Sequence, residues 1–204
     1  MLKKKAIIFG VTGQDGYYLT KLLLKKNYIV HGVKRRSSSV PTNRISSFLN
    51  QKNFIIHYGD LTDTSSIYNI IKTVKPHEIY NLAAQSHVGV SFYTPIFTAN
   101  VNAIGVLSIL EAIRTIKKDI KFYQAGTSEM FGKTASRVQS EKTIFNPQSP
   151  YGAAKVFAHQ ITRNYRDAYK IFASNGILFN HESPFRGDNF VTKKIVSSLS
   201  NIKI

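Results

Sequence analysis

Lys5-Ala6-Ile7-Ile8-Phe9-Gly10-Val11-Thr12-Gly13-Gln14-Asp15-Gly16 is the stretch whose reading decides the fold. Its first half is a short apolar run ending in glycine, the pattern of a parallel strand buried on both faces. Its second half sets three glycines three residues apart. Residues 18–26 then read as a helix, with Leu19, Leu22 and Leu23 on one face and lysines on the other. Strand, glycine turn and helix in this order open a βαβ unit. Such a turn bends tightly, lets backbone approach a diphosphate, and presents it with the free N–H groups and positive end of the helix dipole. Gly10, Thr12, Gly13, Gln14, Asp15 and Gly16 are therefore the expected seat of a dinucleotide. A glycine triplet alone is a weak signal, because any tight strand-to-helix turn can use glycine; its place on the first strand of a series strengthens it.

The alternation continues outward from that turn. Apolar runs at 29–33, 54–58, 78–82, 121–125 and 172–178 read as strands, and residues 65–73, about 99–116 and about 151–169 as helices. This spacing predicts an α/β domain, a doubly wound parallel sheet with helices on both faces. There is no internal repeat or low-complexity linker, so residues 1–204 are expected to form one domain.

Composition bounds the function. Of 204 residues, 43% are hydrophobic and 12% aromatic, which supports a buried core and argues against disorder. Cysteine is absent, excluding disulfides and thiolate metal sites, and the histidines at 31, 57, 77, 87, 159 and 181 show no metal-ligand spacing. No metal is expected. No apolar run approaches the ~20 residues of a membrane span. Met1-Leu2-Lys3-Lys4-Lys5 runs straight into the first strand, with no room for a signal peptide. A soluble, cytoplasmic protein with no membrane partner is expected. The net charge of +17 comes from 28 basic residues spread along the whole chain in runs of at most three. That favours a solvated surface over a nucleic-acid interface, while leaving a general affinity for polyphosphates.

The second strand ends in Lys34-Arg35-Arg36-Ser37-Ser38-Ser39, about twenty residues past the glycines, where NAD-binding chains place a ribose-binding acid. Arg35, Arg36 and Ser37 instead suit a 2′-phosphate, which points to NADP. Asp60-Leu61 follows the third strand, where an adenine-contacting acid is expected. Leu82-Ala83-Ala84-Gln85-Ser86 follows the fourth, with small residues where backbone must pass close to the cofactor.

The fifth strand leads into Ala125-Gly126-Thr127-Ser128-Glu129, at the carboxyl end of the sheet where open α/β folds place their sites. Tyr151 and Lys155 follow, one helical turn apart, a spacing that lets an ammonium lower the phenol's pKa and make it a base. Tyr17/Lys21 and Tyr68/Lys72 repeat the spacing on early helices and read as chance pairs. Glu129 suits elimination: a C–H beside a newly formed ketone is acidic, and a nearby carboxylate can take that proton and later protonate the departing hydroxyl. A surface acid capping a turn is the bland alternative.

Four segments together resemble the GDP-mannose 4,6-dehydratase family of extended short-chain dehydrogenases/reductases. They are 10–16, 34–38, His57-Tyr58-Gly59-Asp60-Leu61-Thr62-Asp63, and Gly176-Ile177-Leu178-Phe179-Asn180-His181-Glu182-Ser183-Pro184. The resemblance implies a Rossmann-type fold and an NADP that is reduced and reoxidised within each turnover. It implies that Tyr151 takes the 4-hydroxyl proton, Glu129 the C5 proton, and that water leaves from C6 of GDP-mannose. The product is GDP-4-dehydro-6-deoxy-mannose, a precursor of GDP-fucose and related deoxysugars. Thr127 would hold the sugar, and Lys155 the nicotinamide ribose. His181 and Arg186 would be further cofactor contacts, and Ser86, Asn180, Val191 and Lys194 would lie near the nucleotide-sugar. The Arg-Arg loop would reach a neighbouring subunit, implying a dimer or tetramer. Phe97 stands where a cofactor-contacting tyrosine is expected, and Gly126 replaces a more usual serine with no consequence expected. Family members continue well beyond residue 204, so the chain reads as truncated inside a helix, with the substrate-binding lobe largely missing. Three further readings stay open: a related sugar-nucleotide dehydratase or epimerase, which Glu129 argues against in the epimerase case; a catalytically silent NADP-binding module; and one half of a split enzyme needing a partner chain.

Overall fold

The computed structural model describes residues 3–37, 43–134 and 137–202. Six strands form one parallel sheet: β1 (Lys5–Phe9), β2 (Ile29–Lys34), β3 (Phe54–Tyr58), β4 (Glu78–Asn81), β5 (Lys121–Ala125) and β6 (Ala173–Gly176). Their order is β3-β2-β1-β4-β5-β6. The chain therefore moves outward through β1, β2 and β3, then returns to pair β4 on the other side of β1, with Ala6 opposite Glu78 and Phe9 opposite Asn81. That reversal opens a crevice beyond the carboxyl ends of β1 and β4, because the connections leave in opposite directions.

Each face of the sheet has its own apolar cluster. On one face Ile7, Phe9 and Ile79 pack against α2 (Thr64–Val74), α5 (Gly105–Ile116) and α6 (Pro150–Tyr169) through Ile67, Ile71, Ile109, Ile113 and Ala158. On the other, Ala6, Ile8 and Val30 pack against Leu23 of α1 (Gln14–Lys25) and against Ile45 and Phe48 of a 3₁₀ turn, Asn43–Phe48. Over β4 and β5 this second face carries an apolar groove of about 450 Å³ lined by Leu19, Tyr80, Leu82, Tyr123 and Leu178.

Helix boundaries differ from the periodicity where capping sets them. α1 starts at Gln14, not 18, because Gly13 is its N-cap and the first turn belongs to the glycine bend. α2 starts after Asp63, whose carboxylate accepts from the N–H groups of Ser65 and Ser66. α3 (Val88–Tyr93) carried no sequence signal; His87 caps it. The helix expected from 99 begins at Pro95, as α4 (Pro95–Ala99), and runs through a π-turn, Asn100–Ile104, into α5. Contrary to the hydropathy reading, Pro95–Ile116 is long and apolar enough to cross a membrane by length and composition. Here its apolar residues lie in the core: Val106, Ile109, Leu110 and Ile113 are all at most 1% exposed. β6 is shorter than the 172–178 run that predicted it. α7 (Val191–Asn201) ends at Asn201, with Ile202 as its C-cap, and none of its residues is buried.

Buried His31 and half-buried His57 form a pair that is expected to make stability pH-dependent. His31 Nδ1 and His57 Nε2 lie 2.8 Å apart on adjacent strands, so a single proton serves both rings. Burial lowers the His31 pKa to about 4, with the nearby charges of His57 and Lys5 adding to it, and burial also lowers that of His57. A histidine held neutral in the fold contributes stability above its unfolded pKa near 6.5, and that contribution is lost as pH falls from there through about 4. Every tenfold difference in proton affinity between the folded and unfolded chain is worth about 1.4 kcal/mol. Urea titrations should show stability falling across that window, and His31→Phe should flatten the slope.

Candidate active site

The crevice at the β1/β4 reversal encloses about 310 Å³. Its floor is the glycine turn, through Gly10, Thr12 and Gly13; its walls are Arg35 after β2, Asp60 and Leu61 after β3, and Leu82, Ala83, Ala84, Gln85 and Ser86 after β4. Eleven of the residues expected to contact the cofactor thus share one cavity. Gly10 sits at φ +81°, and a Cβ there would fall 2.7 Å from the Ala83 nitrogen. Gly16 is equally pressed: its Cβ would meet the Gly10 carbonyl oxygen at 2.5 Å. Gly13 is different. An added Cβ would find only the Gly10 carbonyl oxygen, at 3.3 Å, so space is open above the helix start, which carries no side-chain cap. An uncapped helix N-terminus with open space above it fits a phosphate.

The wall after β4 is held by a residue the sequence did not single out. Asn102, 1% exposed, accepts from the Gln85 N–H and donates to the Gln85 carbonyl, both at 2.9 Å. The π-turn lets its side chain act as a short strand edge for the 82–86 segment. Phe97, on the preceding turn, lines the crevice and fills the position where a tyrosine was expected. Arg35 lines the crevice, and Arg36 and Ser37, which follow it, are exposed. Ser38 and Ser39 lie outside the described residues.

Beside the crevice, β5 and α6 bring four polar groups together. Ser149 caps α6 by accepting from the Gly152 N–H at 3.0 Å, with Pro150 at the first position, which fixes Tyr151 in the first turn. Thr127, 8% exposed, accepts from the Glu129 N–H at 3.2 Å and hydrogen-bonds the Tyr151 hydroxyl. Glu129 is exposed on the 3₁₀ turn Ser128–Met130, near enough for its charge to act on Tyr151. Lys155, 4% exposed, donates to the Ala125 carbonyl at 2.9 Å. Burial lowers its pKa to about 8.

One expectation needs correction. Lys155 does not lower the Tyr151 pKa here: its ammonium is engaged by Ala125 and lies 5.8 Å from the ring centroid. Burial pushes the phenol up instead, the Thr127 hydrogen bond opposes this, and the Glu129 charge adds to the rise. Gly126, in place of the more usual serine, fits its surroundings without strain, since a Cβ there would lie 2.3 Å from the Gly176 carbonyl oxygen.

Of the remaining candidates Asn180, His181 and Arg186 lie on the 179–186 loop and Val191 and Lys194 on α7, all outside the crevice lining. His181 spans the Phe179 carbonyl (Nδ1, 2.7 Å) and the Asp15 carboxylate (Nε2, 2.8 Å). The hydrogen bond to Phe179 and the Asp15 charge raise its pKa against the opposing effect of burial. Gln14 donates to the His181 carbonyl at 3.2 Å and accepts from the Ser183 hydroxyl at 2.8 Å. Gln14, Asp15 and His181 thus fasten this loop to α1. Arg186 lies over the Phe190 ring at 3.8 Å and 3.4 Å from Glu182, within its own segment. Asn180, Val191 and Lys194 are exposed and are not drawn into the crevice. Among the described residues no three His, Cys, Asp or Glu side chains group to hold a metal ion.

A family model described as GDP-mannose 4,6 dehydratase matches residues 7–204. The chain is 54% identical over 98% of its length to a GDP-mannose 4,6-dehydratase of Vibrio cholerae, covering 56% of that protein. It is 55% identical to GDP-mannose 4,6 dehydratase 2 of Arabidopsis thaliana, over 99% of this chain and 57% of that one. The chain therefore spans a little over half the length of these curated relatives. Among solved structures, the Streptomyces venezuelae dTDP-glucose 4,6-dehydratase, solved with NAD, superposes with a TM-score of 0.86 at 19% identity, over 96% of this chain and 62% of that one. The Methanobrevibacter ruminantium UDP-N-acetylglucosamine 4-epimerase gives 0.87 at 23%, over 98% and 64%. These two speak for the fold; the family match and the close relatives speak for descent. This chain belongs to the GDP-mannose 4,6-dehydratase family.

Proposed function

We propose that the chain is the cofactor-binding and catalytic part of a cytoplasmic, oligomeric GDP-mannose 4,6-dehydratase that uses NADP. The observation carrying this reading is the grouping of Thr127, Glu129, Tyr151 and Lys155 beside a crevice floored by an uncapped helix start. Bound NADP would supply a hydride acceptor and a positive charge. Gly13 and the α1 start would hold its diphosphate, Asp60 the adenosine, and Arg35 and Arg36 the 2′-phosphate. With the positive charge of bound NADP added to the Thr127 hydrogen bond and the positive first turn of α6, Tyr151 would lose its own proton to solvent and, as tyrosinate, take the proton of the sugar 4-hydroxyl. Glu129, exposed toward solvent, takes the C5 proton and returns a proton to the departing 6-hydroxyl. Lys155, anchored on the Ala125 carbonyl, would hold the nicotinamide ribose.

Incubating the chain with NADP and GDP-mannose should yield a 4-keto sugar nucleotide lighter by one water. A 4-epimer would overturn the dehydratase reading. Bound NADP with no product would favour a module that needs a partner chain, a reading to which the exposed Val191, Ile195 and Leu199 of α7 lend support. Cofactor choice has its own test. NADPH should bind at least about tenfold more tightly than NADH by nicotinamide fluorescence, and R35A/R36A should erase the difference, since each charge-assisted phosphate contact is worth about 1.5 kcal/mol or more.

A further inference from the structure

Arg44 joins two segments that lie far apart in the chain. From the 3₁₀ turn Asn43–Phe48, its Nη1 donates to the Thr12 carbonyl at 3.1 Å and its Nε to the Phe185 carbonyl at 3.0 Å. Thr12 belongs to the glycine turn, and Phe185 to the loop that carries His181 and Arg186. The Thr12–Gly13 peptide is thereby held at both ends, since the Gly13 N–H donates to the Gly10 carbonyl at 3.0 Å. A peptide fixed at its N–H and its C=O cannot flip, and its orientation sets where the first free N–H groups of α1 point. Aromatic packing keeps the joint closed: the Tyr17 ring stacks on Phe48 at 5.3 Å and tilts against Phe185 at 4.4 Å.

We propose that Arg44 is a positioning residue for dinucleotide binding, clamping the glycine turn in its diphosphate-binding shape and tying it to the 179–186 loop. The proposal rests on the cofactor reading above. Lysine cannot replace this role fully, because an ammonium lacks the planar fork that serves two carbonyls at once.

The test is calorimetric titration of the wild-type chain, R44A and R44K with two probes. NADPH has a diphosphate, whereas adenosine 2′-monophosphate has only the ribose phosphate and the base. R44A should weaken NADPH about tenfold or more, the loss expected when about 1.4 kcal/mol of preorganisation disappears, and leave adenosine 2′-monophosphate within about twofold. R44K should fall between. Circular dichroism establishes that each variant is folded, and R44K carries the test if R44A is not. Equal weakening of both probes would reduce Arg44 to a residue of general stability, and unchanged NADPH affinity would remove the role altogether; either result overturns the proposal. Wild-type binding of NADH but not NADPH would overturn the NADP reading alone, and the same comparison then runs with NADH and adenosine. A wild-type chain that binds neither dinucleotide overturns the proposal together with the reading beneath it.

Discussion

Glu129→Gln should lower formation of the 4-keto product by about 10²–10⁴-fold while leaving NADPH affinity unchanged. Glutamine keeps the size and polarity of the side chain but cannot take a proton from carbon. The turn itself does not depend on the carboxylate: the Glu129 N–H donates to Thr127, and its carbonyl packs where Gly152 leaves room. Thermal stability should therefore change by no more than about 0.5 kcal/mol, as for other exposed substitutions away from structural features. Incorporation of solvent deuterium at C5 is the sharper readout, because it follows proton abstraction directly. Exchange in the variant at the wild-type rate would mean that Glu129 is only a surface acid on a turn.

The second large effect separates folding from binding within one turn. Gly10→Ala forces a side chain to φ +81° and drives a Cβ to within 2.9 Å of three backbone atoms of Leu82 and Ala83. Left-handed strain and overpacking each cost about 1–3 kcal/mol, a large part of the 5–15 kcal/mol that holds a typical domain together. The variant should unfold at markedly lower urea. Gly13→Ala, three residues on, keeps an ordinary extended backbone (φ −75°, ψ 170°) and meets one atom at 3.3 Å, so stability should fall by about 1 kcal/mol at most. Its methyl group, however, occupies the space above the α1 start, and NADPH affinity should drop at least about tenfold. Equal stability in the two variants would contradict the contacts of Gly10. Unchanged NADPH affinity in Gly13→Ala would contradict the placement of the diphosphate.

The fold was legible in the sequence because the central strands β1 and β2 are buried on both faces, and burial leaves an uninterrupted apolar run such as Ala6-Ile7-Ile8-Phe9. Helix ends were less legible. The start of α1 is set by Gly13, and that of α3 by the His87 side chain, and capping leaves no periodic trace. The crevice residues were found because they follow strands directly, and in a parallel sheet the residues after the strands converge at one edge. Arg44 and Asn102 were not found. Each acts on backbone carbonyls or amides of a segment distant in the chain, and a carbonyl has no residue type to recognise. The expectation for Tyr151 failed for a related reason: the one-turn spacing to Lys155 is local, but the ammonium's partner, the Ala125 carbonyl, is not.

The sequence by itself determined the order of the strands along the chain with α1, α2, α5 and α6 between them, the glycine turn, and the four groups Thr127, Glu129, Tyr151 and Lys155, because these follow from local chemistry and pattern. Only the tertiary structure decided which groups meet. It set Gln14 and Asp15 against His181 and Ser183 instead of leaving them free in the crevice, and it raised the Tyr151 pKa by burial. It set Gly126 against the Gly176 carbonyl, 2.3 Å from where a Cβ would lie. The physical reason is common to all three. Desolvation and steric contact depend on what lies across the fold, and spacing along the chain carries no record of it.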